Sequence, residues 1–239
     1  MQNSPSNRLP DFQTAAEFES VSEGYQHLSM RMLARTVGSA GACTAMFTYR
    51  DGTPVQEADL EVRTRDPRDT VQYTNQPSLN GGGDIVNAAT ANATLPDRLD
   101  WTEWAVHRYD WTPGRSTWFV DGAQAATIVF QAPRDPAQLV FNAWSDGGEW
   151  TGNMSLEDAA YLQIQWLEMV YNTTDGKAPR RAAAGCRSVC SIDETTVLGT
   201  PVLISSSGVR SVGASAMAAW IPSMLVLVYS MSALGGLFQ

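Results

Sequence analysis

In stretch after stretch of this chain, apolar residues take every second position, and no long segment carries the helical period of about 3.6 residues. Leu28, Met30, Met32 and Ala34 share one face of a strand predicted over Tyr25 to Thr36. Leu139, Phe141 and Ala143 share one face of another, leaving Val140, Asn142 and Trp144 on its reverse. Leu162, Ile164, Trp166 and Glu168 alternate with Gln163, Gln165, Leu167 and Met169 in a last strand. Further strands are predicted over Phe12 to Ser20, separated from Tyr25 by Ser22-Glu23-Gly24, and over Ala42 to Tyr49 and Val55 to Arg65. Trp104 to Trp111 and Ser116 to Val120 form a hairpin around Thr112-Pro113-Gly114, and Asp121-Gly122 turns the chain into Gln124 to Phe130. Asn80-Gly81-Gly82-Gly83-Asp84 reads as a flexible loop. Strands at this density, without helices between them, predict an all-β domain of two antiparallel sheets packed face to face.

One strand carries chemistry. In Glu57-Ala58-Asp59-Leu60-Glu61 the three carboxylates alternate, so all three project from one sheet face while Ala58 and Leu60 project from the other. Like charges in a row raise one another's affinity for protons. Glycosidic cleavage needs that contrast: one carboxylate ionised as nucleophile and one carboxyl protonated for the leaving oxygen. An acidic solvated strand face is the plainer alternative.

The net charge is −9 with no cluster of Lys and Arg, which excludes a nucleic-acid partner of the usual kind. Eight Trp are more than a core of this size needs, and exposed Trp stacks on pyranose faces. Cys43 stands alone; Cys186 and Cys190, with no nearby His, do not make a zinc site and read as a local disulfide. No metal or cofactor is expected. Asn92-Ala93-Thr94, Asn153-Met154-Ser155 and Asn172-Thr173-Thr174 are glycosylation sequons compatible with secretion.

Several further segments keep order and spacing with the carboxylates: Val71-Gln72-Tyr73-Thr74-Asn75-Gln76-Pro77, Trp111-Thr112-Pro113-Gly114, Trp118-Phe119-Val120-Asp121-Gly122 and Phe141-Asn142-Ala143-Trp144. Together they resemble fungal members of glycoside hydrolase family 16, the laminarinase and lichenase group, over about residues 12 to 172. The resemblance implies a concanavalin A-like jelly roll with a cleft across its concave sheet. It implies Glu57 as nucleophile, Glu61 as general acid/base, Asp59 as the residue assisting both, and retention of anomeric configuration. Glu57 and Glu61 are about 13 Å apart along an extended strand, and retaining chemistry brings the carboxyls to about 5–5.5 Å, so both side chains must lean inward.

Trp144 and Asn142 are expected in the cleft as a sugar-stacking platform and a hydroxyl partner, with Trp150 either a second stacking candidate or a core or loop-anchoring residue. Tyr73, Asn75 and Gln76 are expected to line adjacent subsites, with a turn role beside Pro77 the equal alternative for Gln76, and His107 is a candidate substrate contact. Relatives often carry His where this chain has Ala105, and a lone His on a half-buried strand is also a common structural residue. The activity so implied is hydrolysis of a β-glucan-type polysaccharide by a monomer. The alternatives are a cell-wall transglycosylase or a non-catalytic carbohydrate-binding protein on the same fold. β-1,3-glucan, mixed-linkage glucan and chitin-linked glucan all fit.

The ends read differently from the centre. Residues 1–11 are polar, without the apolar core of a signal peptide, and are expected to be disordered. Since proteins of this group carry a signal peptide and further strands first, an N-terminally truncated chain is expected. Residues 12–174 form the sandwich, and residues 175–204 a linker with the Cys186–Cys190 segment. Residues 205–239 form a small-residue spacer followed by an uncharged apolar tail. That tail reads as a lipid-anchor attachment signal or as a single membrane helix, tethering a secreted protein to the cell surface.

Overall fold

The alternating apolar residues of the centre decide the architecture, because each strand must bury one face. The computed structural model describes residues 13–174, together with 192–194, 200–203 and 227–231. In chain order the strands are β1 (Ala16–Glu19), β2 (Tyr25–Gly38), β3 (Cys43–Arg50), β4 (Gln56–Arg63), β5 (Thr70–Gln76) and β6 (Thr90–Thr94). They continue with β7 (Ala105–Thr112), β8 (Arg115–Val120), β9 (Ala123–Ile128), β10 (Gln138–Trp144), β11 (Ala160–Thr173), β12 (Thr200–Leu203) and β13 (Leu227–Met231). One sheet runs β1-β10-β3-β4-β5-β6 and the other β12-β13-β11-β2-β7-β8-β9. All pairings are antiparallel except β11 with β13. This is the expected all-β sandwich.

The core lies between the two sheets. From the first come Met46, Ala58, Leu60, Val62, Tyr73, Leu139 and Phe141; from the second Leu28, Met30, Met32, Tyr109, Trp111, Trp118 and Ile164. Tyr109 and Trp118 stack at 5.2 Å, and Tyr73 packs on Trp118 at the same separation. Burial of Leu60 and Val62 contributes roughly 3–6 kcal/mol. That fixes the parity of β4, since a one-residue slip would drive its three carboxylates into the core.

Two local features depart from simple reading. The segments either side of Ser22-Glu23-Gly24 do not pair with each other: β1 joins β10 in one sheet, and β2 joins β7 and β11 in the other. The alternation in β11 breaks at a bulge between Ile164 and Trp166. Leu162 and Ile164 face inward before it, and Leu167 and Met169 after it, so Trp166 does not continue the inward series.

The expected polar stretch at residues 1–11, Cys186, Cys190 and most of residues 175–239 lie outside the described residues. Within the expected tail, Leu227–Met231 runs as a strand parallel to β11. No helix among the described residues is long and apolar enough to cross a membrane.

Candidate active site

With Ala58, Leu60 and Val62 buried in the core, Glu57, Asp59 and Glu61 stand on the opposite face of β4. The strand register places their neighbours. Gln138, Tyr49, Glu57 and Gln76 form one row across β10, β3, β4 and β5. Val140, Phe47, Asp59 and Thr74 form the next, and Asn142, Ala45, Glu61 and Gln72 the third. Beyond Glu61 a fourth row holds Trp144, Cys43 and Arg63. Asn142 and Trp144 therefore share the carboxylates' face, and Asn142 Nδ2 donates to Glu17 at 3.2 Å.

The three acids differ in environment. Asp59 is 3% exposed, and burial, followed by the charges of Glu57 and Glu61, pushes its carboxyl well above the ordinary range. Its carboxyl also hydrogen-bonds Glu57, raising Asp59 further and drawing Glu57 down. The proton of that pair therefore sits on Asp59, with the Glu57 carboxylate accepting. Gln76 Nε2 donates to Asp59 Oδ2 at 3.4 Å. Burial raises Glu57 and Glu61 too. For Glu61, hydrogen bonds from Cys43 and Trp150 and the Arg63 charge oppose the rise, while the Glu57 charge adds to it.

Trp150 reaches Glu61 from the loop after β10. Asp146 accepts from the Thr151 hydroxyl at 2.6 Å and from the backbone N–H groups of Gly148, Trp150 and Thr151. These bonds, the Thr151 hydroxyl first, hold the Asp146 carboxyl down to about 2. The loop presses on Gly41, where a Cβ would meet the Asn153 carbonyl carbon at 2.6 Å and where φ is +107°. Only glycine allows that approach without a clash. Arg63 lies 4.6 Å from the centre of the Trp150 ring.

Three expected contacts require correction. Tyr73 is fully buried in the core opposite Leu60 and packs on Trp118, so it cannot line a subsite. Asn75 is likewise fully buried, with Nδ2 donating to the carbonyls of Phe130 at 2.9 Å and Ile128 at 3.4 Å. The cleft-facing residues of β5 are instead Gln72, Thr74 and Gln76, because Gln76 pairs with Glu57. His107 is the third: it points inward with Ala105, Tyr109 and Trp111, and burial lowers it to about 4. Cys43, left without a role by its spacing, lies beside Glu61. Asn92, Asn153 and Asn172 are all exposed.

His107 provides a pH test of this placement. Between its ordinary 6.5 and about 4 the unfolded chain takes up a proton that the folded chain refuses, so stability falls as pH drops through that window. The loss is on the order of 3 kcal/mol. His107→Leu should remove that part of the acid-side loss in a thermal-denaturation series and leave activity at pH 7 unchanged. An unaltered stability profile with weakened sugar binding would put His107 back in the cleft.

Several known proteins are similar to this chain. A Bacillus subtilis β-glucanase is 29% identical over 154 residues, covering 60% of this chain and 57% of its own length. A probable glycosidase, CRR1, from Saccharomyces cerevisiae is 27% identical over 191 residues, covering 66% of this chain and 43% of its own. The solved Crh5 transglycosylase in complex with NAG shares the fold, with a TM-score of 0.50 at 16% identity over 66% of this chain and 68% of that one. The chain thus spans well under two thirds of the curated relatives named here. The profile of the glycosyl hydrolases family 16 runs from residue 4 to residue 168, across β4 and every strand around it, and this chain belongs to that family.

Proposed function

We propose that the protein cleaves the O-glycosidic bonds of a β-glucan-type polysaccharide by a retaining double displacement. The observation that carries this reading is the placement of Glu57, Asp59 and Glu61 on one face of β4, with Asp59 buried between the two glutamates and burial raising the proton affinity of all three, Asp59 above all. Glu57 attacks the anomeric carbon as the Glu61 proton passes to the leaving oxygen, giving a glycosyl ester on Glu57. Glu61, now a carboxylate, takes a proton from water, whose oxygen attacks the same carbon and frees Glu57. A sugar hydroxyl in place of that water would make the protein a transglycosylase. Trp144 and Trp150, both on the Glu61 side of the row, favour that second reading, because a stacked sugar there competes with water.

Release of reducing ends from a panel of β-1,3-, mixed-linkage and chitin-linked glucans tests the activity. Trp144→Ala should weaken oligosaccharide binding by about 1 kcal/mol with little change in melting temperature. A large fall in melting temperature with unchanged sugar binding would return Trp144 to a purely structural role. The reading extends to a secreted, cell-surface protein. Its support is the three exposed sequons at Asn92, Asn153 and Asn172 and the uncharged apolar composition of the tail after Met217, which suits a lipid-anchor attachment signal.

A further inference from the structure

Glu61 is held from two sides by groups that take no part in the bond changes. From β3 the Cys43 thiol donates to Glu61 Oε1 at 3.6 Å, closer than its other acceptor, the Thr44 carbonyl at 3.9 Å. From the loop the Trp150 indole donates to the same carboxyl. Cys43 is a free thiol with no exposed surface. Burial, then the neighbouring Glu61 charge, raises it far above the ordinary thiol range, so it stays protonated and acts as a donor rather than a nucleophile. The indole is fixed in turn. Arg63 stacks on it at 4.6 Å, and Asp66 holds the guanidinium through bonds of 2.8 and 2.7 Å.

We propose that Cys43 is a positioning residue which, together with the Trp150 indole, orients the Glu61 carboxyl and stabilises the carboxylate left after proton donation. The proposal rests on the acid/base role given to Glu61 above. Its physical basis is that Glu61 must ionise inside a buried cleft once per turnover. A buried carboxylate short of a donor is costly, whereas a protonated one needs fewer. The charged or titratable groups facing Glu61 are Glu57, Asp59 and Arg63 from its own strand and Cys43 from β3; Gln72 opposite it on β5 is neutral. Of these only Cys43 can be changed to a residue of similar volume without altering the charge of the row.

The test compares Cys43→Val, which removes the donor, with Cys43→Ser, which keeps one. Two quantities are read on the full chain: the titration midpoint of the Glu61 carboxyl carbon by NMR, and the alkaline limb of kcat/KM on β-glucan. In Cys43→Val both should move to higher pH, and kcat should fall about three- to tenfold, the scale of one lost neutral hydrogen bond. Cys43→Ser should bring both back toward wild type. An unmoved Glu61 midpoint in Cys43→Val would overturn the proposal by itself. A shifted midpoint with an unmoved alkaline limb would overturn it through the reading beneath it, by removing Glu61 as the acid/base. If Cys43→Val does not fold, Cys43→Ala carries the same titration, with the same outcomes.

Discussion

Glu57→Gln is expected to lose turnover on β-glucan by about 10⁴-fold or more, the scale seen when a covalent nucleophile is removed. An amide has the shape of the carboxyl but no ionised oxygen to attack the anomeric carbon. The fold should survive, because Glu57 sits on the cleft face and Ala58, Leu60 and Val62 still anchor β4. Melting temperature should stay level or rise, since the exchange removes a charge that burial already disfavours. Initial rates and a thermal melt on the same preparation decide it. Wild-type rates in Glu57→Gln would remove Glu57 as nucleophile.

Glu61→Gln should behave differently, and the difference identifies its role. Loss of acid assistance costs about 10²–10⁴-fold on ordinary glycosides. On a substrate whose leaving group departs without a proton, formation of the glycosyl-enzyme should be nearly normal. The second half-reaction should then stall, because water lacks its base. A burst of released leaving group followed by a slow steady state is therefore expected in pre-steady-state kinetics with substrate in excess. Equal losses on activated and ordinary substrates would mean that Glu61 holds the site together without moving a proton.

Parity carried most of what was legible in the sequence. Glu57, Asp59 and Glu61 share a face with Asn142 and Trp144 because strand alternation and the burial of Leu60 and Phe141 allow little else. The same rule held the correct answer for Tyr73, Asn75 and His107. Val71 and Tyr73 share one parity of β5 while Gln72, Thr74 and Gln76 share the other, and His107 keeps step with Tyr109 and Trp111. Reading those residues by chemical type rather than by position placed them in the cleft. Other features left no local signal. The bulge in β11 resets alternation without a glycine or proline to mark it. The meeting of Cys43 with Glu61 depends on the register of β3 against β4, and the reach of Trp150 depends on a loop folded around Asp146.

The separation of β1 and β2 into different sheets sets the order in which this molecule can be completed. Strands β3, β4 and β5 pair as successive neighbours, so the carboxylate row can form from local contacts. Glu17 on β1, by contrast, meets Asn142 at a sequence separation of 125, and Arg31 on β2 meets Glu168 at 137. Contacts that distant require loop closure before they return any energy, and they slow folding. On a ribosome, β1 and β2 would emerge long before β10 and β11, leaving strand edges open to stray pairing in the interval. The wall of the cleft that carries Asn142 and Trp144 is then the last part of the site to be built, after the acids it serves are already in place.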